Sequence, residues 1–139
     1  MAKNILVIDD SATIRTLMRL VLEQAGHRVF EASDGDDAYE LLDGRTLDLI
    51  LCDLSMPRMD GMSFLRLLRH HPRYRHTPLA LVTTETRAEH RAEARSAGAQ
   101  AYLAKPVRPA LLLETVQRLC PTVSPTANPA VRPTVRPTT

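Results

Sequence analysis

The hydrophobic positions of this chain follow two alternating spacings. Continuous apolar runs, which are typical of buried strands, lie at residues 5–8, 49–52, 79–82 and 102–104, and residues 28–32 are predicted as a further strand. Between these strands, apolar residues recur every three or four positions, the spacing of one face of an α-helix. Five alternations of this kind predict an α/β domain with parallel strands and right-handed crossovers.

The number of strand–helix units also predicts the arrangement of the sheet. Five units match a flavodoxin-like, doubly wound (βα)5 fold, for which we expect the strand order 2-1-3-4-5. In the first helix, Ser11 is the predicted N-cap and Gly26 ends the helix. The apolar positions assigned to the inward face of this helix are Ile14, Leu17, Met18, Val21, Leu22 and Ala25.

The fourth predicted helix, residues 86–97, differs from the others in composition. It is rich in arginine and glutamate, and its expected buried face offers little beyond alanine. Because few apolar contacts give low local stability, we expect this helix to shift at a small cost in free energy.

Residues 121–139 differ in character from the rest of the chain. They hold five of the ten prolines, interleaved with threonine, and they show no hydrophobic periodicity. Such a composition is typical of an extended, poorly ordered segment. We therefore predict a globular domain over residues 1–120, followed by a disordered Pro/Thr/Arg-rich tail over residues 121–139.

The overall composition indicates the class of protein. With 44% apolar and 24% charged residues, the chain is an ordinary globular protein, and its apolar runs are far shorter than the ~20 residues that span a bilayer. The first residues lead directly into a strand, so we expect no signal peptide and no membrane insertion. Cys52 and Cys120 lack a metal-binding spacing, which favours reduced thiols and a cytoplasmic location.

The distribution of charge argues against one class of partner. All 16 acidic residues and all but two of the 18 basic residues precede Pro121, so the predicted globular domain is neutral. Nucleic-acid-binding domains usually carry a basic stripe, and we therefore expect no direct DNA binding. The two remaining basic residues are Arg132 and Arg136, in the predicted tail.

Polar side chains stand directly after four of the predicted strands. Asp9 and Asp10 follow the first strand, Asp53 the third, Thr83 the fourth and Lys105 the fifth. In open α/β sheets, sites form beyond the carboxyl ends of the strands, so these side chains are expected at one edge. Three carboxylates, a hydroxyl and an ammonium suit Mg²⁺ and a phosphoryl group, with Asp53 as the candidate nucleophile.

The motifs around these residues resemble those of a known family. They are Val7–Ser11, Leu51–Pro57, Met59–Gly61, Val82–Thr83 and Lys105–Pro106. Their order and context are similar to those of CheY-like receiver domains, the response regulator domains of bacterial two-component signalling. The resemblance extends from the first strand to the end of the predicted globular domain.

The resemblance implies a metal site with divided roles. Asp10, Asp53 and the backbone carbonyl of Ser55 would bind Mg²⁺ directly, and Asp9 would act mainly through water. These are oxygen donors, which Mg²⁺ prefers.

The resemblance also implies a phosphorylation switch. Asp53 would be the phosphoacceptor, and Thr83 and Lys105 would contact the phosphoryl group once it is bound. The Lys105–Pro106 bond would be cis, and Tyr102 would be the switch aromatic that turns inward when Thr83 moves. The fourth helix, fifth strand and fifth helix would then form the output face.

The leading interpretation of the function is a stand-alone response regulator. It would accept a phosphoryl group from a sensor histidine kinase and then bind a downstream partner protein, acting as a phosphoacceptor rather than as an enzyme on an outside substrate. The 19 residues after Cys120 are too few for an output domain. Chemotaxis is a candidate process, because residues 9–15 resemble the single-domain chemotaxis type.

Two other interpretations remain open. The repeat containing Arg132 and Arg136 weakly resembles arginine-rich segments of CheY-like proteins that bind cyclic di-GMP, since guanidinium groups stack on bases and pair with phosphate. A disordered linker is the simpler interpretation of this tail. An Asp-nucleophile phosphohydrolase is less favoured, because such enzymes commonly need an acid two residues after the nucleophile, where this chain has Ser55.

Overall fold

The computed structural model describes residues 2–85 and 87–120 of the chain. These residues form five strands and five helices that alternate along the sequence. In chain order the elements are β1 (Asn4–Ile8), α1 (Ala12–Gln24), β2 (Arg28–Ala32), α2 (Gly35–Leu42), β3 (Leu49–Cys52), α3 (Gly61–Arg69), β4 (Leu79–Thr83), α4 (Ala88–Ala97), β5 (Ala101–Ala104) and α5 (Pro109–Leu119). None of the helices in this described part combines the length and apolar character needed to cross a membrane.

The five strands form one parallel sheet in the order β2-β1-β3-β4-β5, which confirms the predicted topology. The register decides which residues meet at its carboxyl edge. Ile8 pairs with Cys52, so Asp9 and Asp53 leave neighbouring strands side by side. Thr83 pairs with Ala104, which places Lys105 one residue beyond the same edge.

The buried apolar residues of the described chain form two clusters, one on each face of the sheet. Alternate strand residues point to opposite faces, so a strand buried on both sides must be apolar throughout. One face is covered by α2, α3 and α4, and the other by α1 and α5. The site at the carboxyl edge therefore stands on central strands that are almost completely buried.

Two expectations about helices were wrong in detail. Leu17 is 55% exposed and Ala25 is also exposed, although both were assigned to the inward face of α1. Met18 and Leu22 are the residues of the described α1 that are fully buried. The buried face of α1 therefore holds fewer residues than its apolar pattern predicts. The fourth helix begins at Ala88, two residues later than predicted, with Arg87 as its N-cap.

The fourth helix is as weakly buried as its composition predicts. Within the described chain, Ala94 is the one residue of α4 that is fully buried. Its N-cap, Arg87, makes no side-chain capping bond in the described structure, whereas Asp60 caps α3 by accepting a hydrogen bond from the Ser63 amide at 2.8 Å. An uncapped helix start forgoes roughly 1 kcal/mol of stabilisation.

Candidate functional site

Three carboxylates meet at the carboxyl edge of the two central strands. One side-chain oxygen each from Asp9, Asp10 and Asp53 lies within 4.8 Å of the others. Asp9 and Asp53 are buried, at 2% and 6% exposed, and Asp10 faces solvent. The cluster follows directly from the register of β1 and β3, since Asp9 and Asp53 hold the first position after their strands and Asp10 the second.

Lys105 supplies the positive charge of the cluster. Its Nζ lies 2.7 Å from Asp9 Oδ2 and 3.2 Å from Asp53 Oδ2. Its backbone N–H donates to the Thr83 carbonyl at 2.9 Å, which holds the start of the Lys105 loop against β4. The Lys105–Pro106 peptide bond is cis, as the family resemblance implies.

Burial and the neighbouring charges shift the pKa values of Asp53 and Lys105. Burial, followed by the negative charge of Asp9, raises the pKa of Asp53, and Lys105 opposes that rise. Burial alone would lower the pKa of Lys105, but its hydrogen bonds and charge contacts with Asp9 and Asp53 outweigh burial and raise it. Lys105 therefore stays protonated beside Asp9 and Asp53.

The donor set fits a small, hard dication. Mg²⁺ prefers oxygen ligands and keeps several waters, and here two buried carboxylates lie beside an exposed one. When all three acids are ionised, one ammonium leaves two negative charges uncompensated, the charge that a dication would neutralise. Ser55 is exposed beside Asp53, and its N–H lies 3.5 Å from Asp53 Oδ1.

Gly61 allows the loop after β3 to approach its own strand closely. A Cβ at this position would collide with the Asp53 carbonyl oxygen and would lie 2.9 Å from the Leu54 Cα. Both atoms belong to the backbone and cannot move aside cheaply. The glycine is therefore required by the folding of this loop around Asp53.

Thr83 lies on the opposite side of a cavity from the loop that follows Asp53. The cavity has a volume of about 500 Å³ and is lined by Leu54, Ser55, Met56, Asp60, Met62, Thr83, Thr84, Glu85 and His90. Thr83 is buried, and its Oγ1 accepts a hydrogen bond from the Glu85 N–H at 3.1 Å. In the described conformation its hydroxyl is thus bonded to the loop that leads into α4.

Glu85 connects Thr83 to Tyr102, a link that the sequence did not reveal. While the Glu85 N–H bonds to Thr83, the Glu85 carbonyl accepts from the Tyr102 hydroxyl at 2.7 Å. The two residues predicted to form the switch are therefore joined through one backbone unit. A sequence pattern cannot show this contact, because it depends on how the β4–α4 loop turns over β5.

The Glu85 side chain is fixed separately from its backbone. The Arg87 backbone N–H and Nε each donate to Glu85 Oε2 at 3.0 Å, and Nη2 donates to Oε1 at 3.2 Å. These bonds lower the pKa of Glu85 to about 2. His90 Nδ1 lies 3.7 Å from the same carboxylate.

Arg58 is a residue that the sequence did not single out. Its backbone is left-handed, with φ 63°, and its guanidinium donates to Asp34 Oδ2 at 2.7 Å and to Asp37 Oδ1 at 2.8 Å. The Arg58 hydrogen bond, followed by the Asp37 N–H, lowers the pKa of buried Asp34. Arg58 thereby ties the loop after β3 to the start of α2.

The structure brings together most of the predicted site residues. Asp9, Asp10, Asp53 and Lys105 are in one cluster, with Thr83 and Ser55 at the adjoining cavity. Arg132 and Arg136, the predicted nucleotide-binding residues of the tail, lie outside the described residues, as does the tail itself.

Known proteins share this fold. The family model for the response regulator receiver domain matches residues 5–117. The chain therefore belongs to the response regulator receiver domain family, and its sheet has the CheY-like, flavodoxin-like topology.

Individual relatives are similar over most of this chain. The transcriptional regulatory protein SrrA of Staphylococcus aureus is 35% identical over 119 residues, which is 86% of this chain and 48% of SrrA. The chain thus spans about half the length of the curated relatives it matches. Among solved structures, the Vibrio cholerae chemotaxis protein CheY4 is 36% identical with a TM-score of 0.82, covering 86% of this chain and 99% of that one.

A third relative carries a metal. The receiver domain of the sensor histidine kinase PA1611 from Pseudomonas aeruginosa PAO1 has a magnesium ion coordinated in its active-site cleft. It is 30% identical with a TM-score of 0.80, and the alignment covers 88% of this chain and 100% of that one.

Proposed function

We propose that this domain is a phosphorylation switch that accepts a phosphoryl group from a sensor histidine kinase on Asp53. The observation that carries this proposal is the position of Asp53. It is a buried carboxylate at the carboxyl edge of the sheet, next to two more carboxylates and the Lys105 ammonium. Phosphoryl transfer depends chiefly on positioning and on neutralising charge, and this cluster supplies both.

The residues divide the chemistry among them. An Asp53 carboxylate oxygen forms a bond to phosphorus while the bond from phosphorus to the kinase histidine nitrogen breaks, and that nitrogen keeps the electron pair. Asp10, Asp53 and the Ser55 carbonyl would hold Mg²⁺, with Asp9 acting through water. Bound Mg²⁺ neutralises charge on the phosphoryl oxygens. Magnesium in the PA1611 receiver domain supports this assignment.

Lys105 and Thr83 respond to the new group. Before transfer, Lys105 is shared between Asp9 and Asp53, so a phosphoryl oxygen can replace a carboxylate oxygen as its partner. The Thr83 hydroxyl can donate to another phosphoryl oxygen, which draws the β4–α4 loop toward Asp53. Because Glu85 joins Thr83 to Tyr102, movement of this loop also moves the aromatic side chain.

The readout is the surface formed by α4, β5 and α5. Tyr102 lies on β5, and the weakly buried α4 stands beside it. The domain would exchange between two arrangements of this surface. A phosphoryl group on Asp53 that stabilises one arrangement more than the other shifts the population toward the stabilised arrangement. A downstream protein that binds one arrangement would then report phosphorylation.

The direct test is phosphorylation with acetyl phosphate and Mg²⁺, followed by intact mass measurement. We expect one added phosphoryl group in the native protein and none in Asp53→Asn or after Mg²⁺ is removed with EDTA. Asp36→Asn, which changes a carboxylate on α2 away from the cluster, is the matched control and should still be phosphorylated. A phosphorylated Asp53→Asn variant, or a native protein that never gains mass, would refute the proposal.

A further inference from the structure

The charges of α4 are sorted onto two flanks of the helix. Buried Ala94 marks the side that faces the sheet. On one flank, Glu93 pairs with Arg66 of α3 at 3.1 Å. On the other flank, Arg91 and Arg95 stand one turn apart and face β5. Glu93 is thus directed toward the neighbouring helix, and Arg91 and Arg95 toward the edge of the sheet.

Arg91 and Arg95 border the aromatic residue of the switch. The Arg91 guanidinium lies 5.2 Å from the centre of the Tyr102 ring. Both arginines also line a small depression of about 40 Å³ together with Ala101 and Tyr102. Arg91 and Arg95 are both exposed. Among residues 2–85 and 87–120, neither lies within ion-pair distance of a carboxylate.

The fifth helix continues this surface. Leu112 and Val116 are buried on the sheet, and Leu113 packs into the cluster that also contains the buried residues of α1. Leu111 is 40% exposed, and helical spacing places it and Arg118 on the flank away from Leu113, toward the β5 edge. We call Arg91, Arg95, Tyr102, Leu111 and Arg118 the arginine face.

We propose that the partner bound by the arginine face is a protein segment rich in Asp and Glu that also carries an aliphatic or aromatic residue. This proposal rests on the proposed function, since it names the partner chemistry of the same output surface. Unpaired guanidinium groups bind carboxylates in two-bond pairs, and complementary charge selects the partner and speeds its approach. The exposed Leu111 and the half-buried Tyr102 supply an apolar centre between the arginines.

An acidic protein segment fits this surface better than nucleic acid does. A nucleic-acid site usually extends as a basic stripe with little apolar area, and a domain that carries one is basic overall. Here all 16 acidic residues of the chain lie before the tail and balance the basic ones there, and an exposed leucine lies among the arginines. Polar groups around an apolar centre are typical of protein interfaces.

The arrangement also explains how phosphorylation would change partner binding. Arg91 rests on the ring of Tyr102, and the Tyr102 hydroxyl is bonded to the Glu85 carbonyl. A rotation of Tyr102 therefore removes the surface on which Arg91 lies. Phosphorylation would in this way reposition a guanidinium of the arginine face without changing its charge.

The test is a selection from a random 12-residue peptide library displayed on phage. The protein is presented with Mg²⁺ and beryllofluoride as the phosphoryl mimic. We expect the selected peptides to be enriched in Asp and Glu over the starting library, with one large apolar residue in common. The Arg91→Ala/Arg95→Ala double variant should bind a selected peptide at least about tenfold more weakly, the loss expected from removing charge-assisted hydrogen bonds.

The matched control is Arg28→Ala/Arg75→Ala, which removes two exposed arginines from other parts of the surface and should leave binding unchanged. Three outcomes would overturn the proposal. They are selected peptides without acidic enrichment, an equal loss of binding in both double variants, and tighter binding to a random DNA duplex than to any peptide. Acidic peptides selected equally well without beryllofluoride would support the partner chemistry and refute its link to phosphorylation. The mass test on Asp53 measures the proposed function separately.

Discussion

The third and fourth helices lie on the same face of the sheet, but the structure holds them in place by different means. In α3, Phe64, Leu65 and Leu68 are completely buried and Asp60 caps the first turn. In the described part of α4, Ala94 is the one buried residue, and the helix start has no side-chain cap. Ion pairs at the surface, chiefly that of Arg87 with Glu85, fix its first turn instead.

This contrast matches the two tasks that the proposed function gives to the site. The loop that leads from Asp53 into α3 needs a constant geometry, since a small displacement of the nucleophile is costly for phosphoryl transfer. In the proposed function, the loop that leads from Thr83 into α4 moves when a phosphoryl group arrives. Packing gives the first helix its rigidity, and the lack of packing lets the second respond at a small cost in free energy.

The strongest way to break the comparison is to weaken each helix in turn. Phe64→Ala should lower the free energy of unfolding by about 3–5 kcal/mol, because it deletes a fully buried ring and leaves a cavity. Ala92→Gly, on the exposed side of α4, should cost only about 1 kcal/mol through helix propensity. Urea denaturation followed by circular dichroism measures both. Similar costs for the two variants would show that α4 is held as firmly as α3.

Gly61, at the start of α3, offers a sharper test of the loop that leads from Asp53 into α3. Gly61→Ala should cost roughly 1–3 kcal/mol and slow phosphorylation of Asp53, because the added Cβ displaces the backbone of Asp53 and Leu54. The measurements are urea denaturation and the rate of phosphorylation by acetyl phosphate.

The control for Gly61 is Gly26→Ala. Gly26 has φ 95° and open space around it, so alanine there adds backbone strain far from the site. Its cost should be about 1–2 kcal/mol, with an unchanged phosphorylation rate. Equal slowing in both variants would mean that lost stability, rather than the shape of the Asp53 loop, controls the rate.

The smallest expected effect concerns the charge at the start of α4. The Arg87 hydrogen bonds lower the pKa of Glu85 to about 2, below its ordinary value of 4.5. A carboxyl whose pKa is lowered on folding stabilises the protein above its unfolded pKa and loses that contribution as the pH falls toward its folded pKa. Glu85→Gln should therefore be less stable than the native protein at pH 7, and this difference should shrink from about pH 4.5 toward pH 2.

Urea midpoints of both proteins across this pH range check the prediction. The reference is a variant in α3, the helix held by packing. Leu68→Ala should be destabilised by a similar amount at every pH at which the protein stays folded. If the difference in stability between Glu85→Gln and the native protein stayed constant with pH, the effect would come from packing. The electrostatic contrast between α3 and α4 would then be removed.

Much of the fold was predictable because it depends on spacing that the chain carries locally. Four apolar runs predicted four of the five parallel strands, and the acids and lysine directly after these runs predicted a cluster at one edge. Leu17 shows the limit of such patterns. A helix can carry more apolar positions than its contact with the sheet can bury, and the sequence does not say which one remains exposed.

The sequence alone predicted the strands and the polar residues that directly follow them, because both depend on residues next to one another in the chain, and the number of strand–helix units predicted the strand order by its match to a known fold. The tertiary structure decided how those residues are connected. Lys105 reaches Asp9 and Asp53 from another strand, Arg58 joins two loops, and one backbone unit of Glu85 bonds to both Thr83 and Tyr102. These contacts join residues distant in sequence through hydrogen bonds of fixed length, and only the folded backbone brings such groups within range.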